Sequence, residues 1–96
     1  MDLFLFARFH ARPGSEAALR EAIQTVAGPP KLEPGCFSYQ AFQSVRVQGE
    51  FYVYSRWRDK AAFELHASLP HTIRFIGTVE LLIGHPLSVS LTEPLK

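Results

Sequence analysis

The stretch Phe51-Tyr52-Val53-Tyr54-Ser55-Arg56-Trp57-Arg58-Asp59-Lys60-Ala61-Ala62-Phe63-Glu64-Leu65-His66 changes its period partway along. Up to Trp57 it alternates, with Phe51, Val53, Ser55 and Trp57 on one face and Tyr52, Tyr54 and Arg56 on the other, which is a strand. Asp59 is a natural cap for the free amides of a first helical turn, and Ala62, Phe63 and His66 then recur at spacings of three and four. A strand running into a helix over 60–69 brings the only tryptophan near an imidazole. The ordinary pKa of that side chain makes it a usable base at neutral pH.

Upstream, Cys36 to Gln43 reads as a partner strand entered through the turn Glu33-Pro34-Gly35 and joined to Phe51 by a hairpin tip at Gln48-Gly49-Glu50. Leu3 to Arg12 forms an earlier strand. It is expected to be covered on both faces at its start, and it ends with Ala7, Phe9 and Ala11 opposite Arg8, His10 and Arg12. Pro13-Gly14 punctuates, Ser15 offers a capping hydroxyl, and Ala18, Leu19, Ala22, Ile23 and Val26 predict a helix over 15–27 that Gly28-Pro29-Pro30 ends.

Downstream, Pro70 interrupts, and a further helix over 72–83 turns Ile73, Ile76, Val79 or Glu80, and Ile83 inward before Gly84 stops it. Leu87, Val89 and Leu91 alternate with Ser88, Ser90 and Thr92 in a last strand. The order β-α-β-β-α-α-β is an α+β, ferredoxin-like plait with an antiparallel sheet and a broken second helix. No repeat or linker divides residues 1–96, so one domain is expected.

Ten basic against nine acidic residues leave a net charge of +1, with no block of like charge to track a phosphate backbone, so nucleic acid is not expected as a partner. The single cysteine, Cys36, allows neither an intrachain disulfide nor a cysteine-based zinc site, and it fits a reducing compartment. The apolar start Leu3 to Phe9 is too short to span a bilayer and carries Arg8. A cytoplasmic protein with no membrane partner is the expectation. A chain of this length buries only roughly 60 to 65% of its unfolded surface. Eight phenylalanines therefore suit an interface or a pocket as well as a core.

Several pieces together resemble the antibiotic biosynthesis monooxygenase family of dimeric α+β barrel proteins, among them the quinol monooxygenase-like members. They are Ala7-Arg8-Phe9-His10-Ala11-Arg12-Pro13-Gly14, Glu33-Pro34-Gly35-Cys36-Phe37-Ser38-Tyr39, Tyr54-Ser55-Arg56-Trp57-Arg58-Asp59 with Ala61-Ala62, then His66, and His71 with Phe75. The resemblance implies a homodimer with facing sheets and, in each protomer, a pocket between sheet and helices for a small aromatic substrate. It further implies oxidation by dioxygen without a cofactor, in which the deprotonated substrate passes an electron to oxygen. The protein then supplies desolvation, orientation and a base.

Departures from the family pattern narrow this. Polyketide monooxygenases carry an amide side chain where this chain has Val53, so an oxyanion donor is missing there. Haem-degrading relatives carry asparagine at the place of Ala7, a second tryptophan at that of His66 and an axial histidine near Ile76, all absent here. Haem breakdown is disfavoured.

The candidate catalytic residues are His66, as base, with Trp57 and His71. Each has a plainer role beside that one: a hydrogen-bonded core histidine, a core ring anchoring strand to helix, and a cap for the helix start at Pro70. Candidate substrate contacts are Phe51, Val53, Ser55, Phe63, Tyr54 and Arg8, the last equally a salt-bridge partner at a sheet edge or dimer seam. The five-residue step from His66 to His71 would set the rings about 140° apart on one helix. No metal site is expected, and none for His10 and His85, which are placed at the surface. An isomerase or lyase using the same pocket for proton transfer, or a dimeric binding module without catalysis, stands as an alternative to the oxygenase.

Overall fold

The computed structural model describes residues 2–26 and 33–95, in the order β1 (Leu3–His10), α1 (Glu16–Val26), β2 (Cys36–Gln43), β3 (Glu50–Trp57), α2 (Lys60–Ser68), α3 (Pro70–Glu80) and β4 (Ser88–Thr92). The expected α+β plait is present. Its four strands are antiparallel in the order β2-β3-β1-β4. The helix-ending role given to Gly28-Pro29-Pro30 lies outside the described residues.

Alternation along the strands sorts the sheet into two faces. Leu5, Phe9, Tyr39, Phe51, Val53, Ser55 and Trp57 are buried on the inner face. The helices close over them with Leu19, Ile23 and Val26 from α1, Ala62 and His66 from α2, and Thr72 and Val79 from α3. The register sets Leu5 opposite Ser55 on one side and Leu91 on the other, and Ala7 opposite Val53 and Val89, so the small side chain of Ala7 sits at the centre of the inner face.

The outer face differs from expectation. Phe6 and Phe42 are about half exposed, at 52% and 51%, and Tyr52 is exposed beside them, so the start of β1 is covered on one side only by its own chain. Phe4 and Phe6 line up with Tyr54 across β3, and the Arg56 guanidinium lies over the Phe4 and Phe37 rings while pairing with Asp2.

Three local expectations are corrected. The Ser15 hydroxyl caps no amide among the described residues; the Glu16 carboxylate instead accepts from the Gly14 amide at 3.0 Å. With Pro70 as a first-turn residue, α3 starts two positions early, and that phase buries Thr72 and leaves Ile73 in solvent. Ile83 is buried but not helical: it bridges to Ala11, where Arg12 Nε donates to its carbonyl at 2.9 Å. No helix among the described residues is long and apolar enough to cross a membrane.

Candidate active site

A turn and a helix start build the site. The Cys36 amide donates to the Glu33 carbonyl at 3.1 Å, with Pro34 at the second position and Gly35 at the third with φ +81°, the arrangement a type II turn requires. The Gly35 carbonyl accepts from the Arg58 amide at 2.7 Å, and a Cβ on Gly35 would lie 2.7 Å from that of Ala62. Asp59 caps α2 as predicted, accepting from the Ala62 amide at 2.9 Å. That amide holds the Asp59 carboxyl below the usual carboxylate range. The turn is thereby pinned on the first turn of α2, and Glu33 reaches the last.

There the Glu33 carboxylate meets His66, Oε1 2.9 Å and Oε2 3.1 Å from Nδ1, and its Oε2 lies 3.2 Å from His71 Nε2. The Thr72 hydroxyl is 3.5 Å from the same Nδ1. The expectation that the two histidines diverge is overturned. They belong to different helices, because Leu69 between them is extended (φ −70°, ψ 144°) and Pro70 opens a new helix, so one helical wheel does not describe both. A carboxylate holding Nδ1–H fixes the tautomer with its lone pair at Nε2, which has no hydrogen-bond partner among the described residues.

His66 lines a cavity of about 150 Å³ between sheet and helices. Its other walls are Leu5, Ala7 and Phe9 of β1, Tyr39 of β2, Val53 and Ser55 of β3, Phe63 and Ala67 of α2, Thr72, Phe75 and Ile76 of α3, and Leu87 and Val89 beside the edge. Among the described residues its titratable groups are His66 and Tyr39, whose ring centroids are 6.1 Å apart. Burial, with the Cys36 thiol and the Glu33 carboxylate nearby, pushes the Tyr39 phenol up to about 12, so it stays a neutral donor.

The structure brings Val53, Ser55, Phe63 and His66 to this cavity. Trp57 is fully buried behind it rather than on its wall: its ring lies 4.6 Å from that of His66 and 6.1 Å from that of Phe63, and its Nε1–H donates to Ser55 Oγ at 3.0 Å. Arg8 and Tyr54 lie on the opposite face of the sheet. There Arg8 pairs loosely with Glu50 (3.8 Å) and the Tyr54 ring faces that of Phe6. Phe51 borders a separate depression with Arg20 and Gln24 at the far end of β3. His71 sits outside the cavity, in a groove between α1 and α3.

Glu33 was missed. Its one signal in sequence was the Pro34-Gly35 pair after it, which marks a tight turn but not where the turn docks. Thr72, Phe75 and the edge residues Leu87 and Val89 became visible as cavity wall only through the phase of α3 and the sheet register.

Residues 3–77 match the antibiotic biosynthesis monooxygenase family. The chain is 32% identical over 91 residues to the Mycobacterium tuberculosis protein named "Putative monooxygenase Rv0793", covering 95% of this chain and 89% of that one. The solved structure of Rv0793 superposes with a TM-score of 0.93 over 100% of this chain and 97% of that chain, at 30% identity. PA3566 from Pseudomonas aeruginosa superposes with a TM-score of 0.91 at 30% identity, over 99% of this chain and 95% of that one. By the extent of the family match and by the identity and coverage of its relatives, the chain belongs to the antibiotic biosynthesis monooxygenase family.

Proposed function

We propose that the protein is a cofactor-independent monooxygenase that oxidises a single-ring quinol with dioxygen, using the Glu33–His66 pair as its base. The observation that carries this is the pairing of an orienting carboxylate with a histidine on the wall of an otherwise apolar cavity. His66 Nε2 takes the phenolic proton, and Glu33 offsets the charge of the imidazolium that forms. The phenolate passes an electron to dioxygen, and recombination at a ring carbon followed by loss of water leaves a hydroxyquinone. In balance, one quinol and one O₂ give one hydroxyquinone and one H₂O.

Size supports a quinol over a polyketide. A cavity of about 150 Å³ is the volume known to hold one benzene ring. A fused polyketide of three or more rings exceeds that space. The apolar wall favours a planar ring, and the neutral Tyr39 phenol and the Ser55 hydroxyl are the polar groups that orient its oxygens. Trp57 then acts as a positioning residue, backing His66 from the core. The half-bare aromatic face of the sheet supports pairing with a second copy of this chain through Phe6, Phe42 and Tyr52.

Oxygen uptake with a panel of reduced benzoquinols tests the reading. The wild-type protein is expected to consume one O₂ per quinol, and His66→Gln to lose about 10² or more in turnover while melting as a folded protein. A folded His66→Gln variant with full turnover removes the base. Exchange of substrate hydrogens without oxygen consumption would replace the oxygenase with a proton-transfer enzyme.

A further inference from the structure

Glu33, His66 and His71 come from three segments, yet they offer a carboxylate oxygen and two imidazole nitrogens that all lie within 4.8 Å of one another. The carboxylate is central: its Oε2 is 3.1 Å from His66 Nδ1 and 3.2 Å from His71 Nε2. Ligands at about 2.0 to 2.2 Å from one divalent ion stand about 3 to 3.5 Å from their neighbours, so two of the three spacings already suit coordination. The third, between the two imidazole nitrogens, is at most 4.8 Å and has to close by adjustment of the His71 side chain, which sits on the first helical turn of α3 and is 34% exposed.

Donor chemistry selects the ion. Two imidazoles and one carboxylate suit zinc and its late first-row neighbours rather than magnesium or calcium, and three protein ligands leave a position open for water. Glu33 and His66 are 12% and 8% exposed, so the donors are withdrawn from bulk solvent. His71 lines the groove between α1 and α3, so an ion approaching from that side would not have to pass through the apolar cavity.

We propose that Glu33, His66 and His71 form a site for a divalent transition cation of the zinc class, and that filling it switches off His66 as a base. The second half rests on the base role proposed above. A neutral imidazole bound to a cation through Nδ1 carries its proton on Nε2. Occupation displaces the proton that Nδ1 shared with Glu33 and returns one to Nε2, with no net release. Nε2 then becomes a donor and has no lone pair for a phenol.

Calorimetric titration of chelator-treated protein with Zn²⁺ alone tests binding. The expected result is one ion per chain, with affinity at least tenfold weaker in both His71→Ala and Glu33→Gln. Affinity should be unchanged in His10→Ala, because His10 and His85, 4.8 Å apart between ring centroids at the surface, are the competing imidazole pair. No binding, equal binding in His71→Ala, or loss of the tight site in His10→Ala overturns the site. Quinol turnover should fall to half at a free Zn²⁺ concentration equal to the calorimetric Kd and to background at saturation; full turnover at saturation overturns the switch. Zinc binding without any quinol turnover sinks the base role and leaves the cation site standing, whereas turnover without zinc binding does the reverse.

Discussion

The rings of Trp57 and His66 face each other across the junction of β3 and α2, 4.6 Å between centroids and 34° between planes. The indole is fully buried and its N–H donates to Ser55, so the imidazole packs against a ring held on more than one side. Trp57→Ala is expected to cost about 3 to 5 kcal/mol in a denaturant titration, the range for emptying a large aromatic site in a core. A loss under 1 kcal/mol would show that the ring is not the anchor of this junction.

Glu33 acts on substrate only through His66. In Glu33→Gln the charge that balances an imidazolium is gone while the side chain keeps its length. The turnover number should fall by about 10² with KM changed little, because the cavity wall is untouched. A rise in KM at constant turnover would place Glu33 in binding instead.

Gly35 is expected to tolerate no side chain. Its positive φ and the 2.7 Å approach to the Ala62 Cβ act together, and Gly35→Ala should lose about 1 to 3 kcal/mol, read as a shift in denaturant midpoint at constant slope. Adding Ala62→Gly should restore only part, since it relieves the contact but not the backbone. Full restoration would show that φ costs nothing.

Tyr39 gives an alkaline signature. Its folded pKa, about 12, lies above the ordinary value of 10.0, so its contribution is complete below pH 10 and is lost as pH rises towards 12. The wild-type protein should lose about 2 kcal/mol more than Tyr39→Phe over that window, measured by denaturation at fixed pH. Parallel curves would mean the phenol is not the group responsible.

Phe6 and Phe42 project from the outer face. If that face pairs with a second copy, Phe6→Glu together with Phe42→Glu should halve the mass found by light scattering without unfolding the chain. An unchanged mass would move the interface elsewhere.

The element order was legible because each period change coincided with a punctuating residue: Pro13-Gly14, the Asp59 cap and Pro70. The inner face of β3 was legible too, since Phe51, Val53, Ser55 and Trp57 are all buried. What periodicity could not give was depth along that face. It marks a side of the sheet and not a position, and so Phe51 and Val53 read alike in sequence although they border different hollows. The meeting of Glu33 with His66, 33 residues later, depends on how a turn docks on a helix. The convergence of His71 depended on Pro70 being the first residue of a helix rather than a gap before one.

Val89 of β4 closes one side of the cavity, yet it is 43% exposed and belongs to an edge strand held by β1 alone among the described residues. The wall least tied to the core is thus the one in contact with a prospective ligand. Fraying of five residues would open the hollow while the β1–β3 pair and Trp57 stay in place. Exchange of substrate and product can then run on the timescale of local breathing, and amide protons of β4 should exchange with solvent well before those of β3.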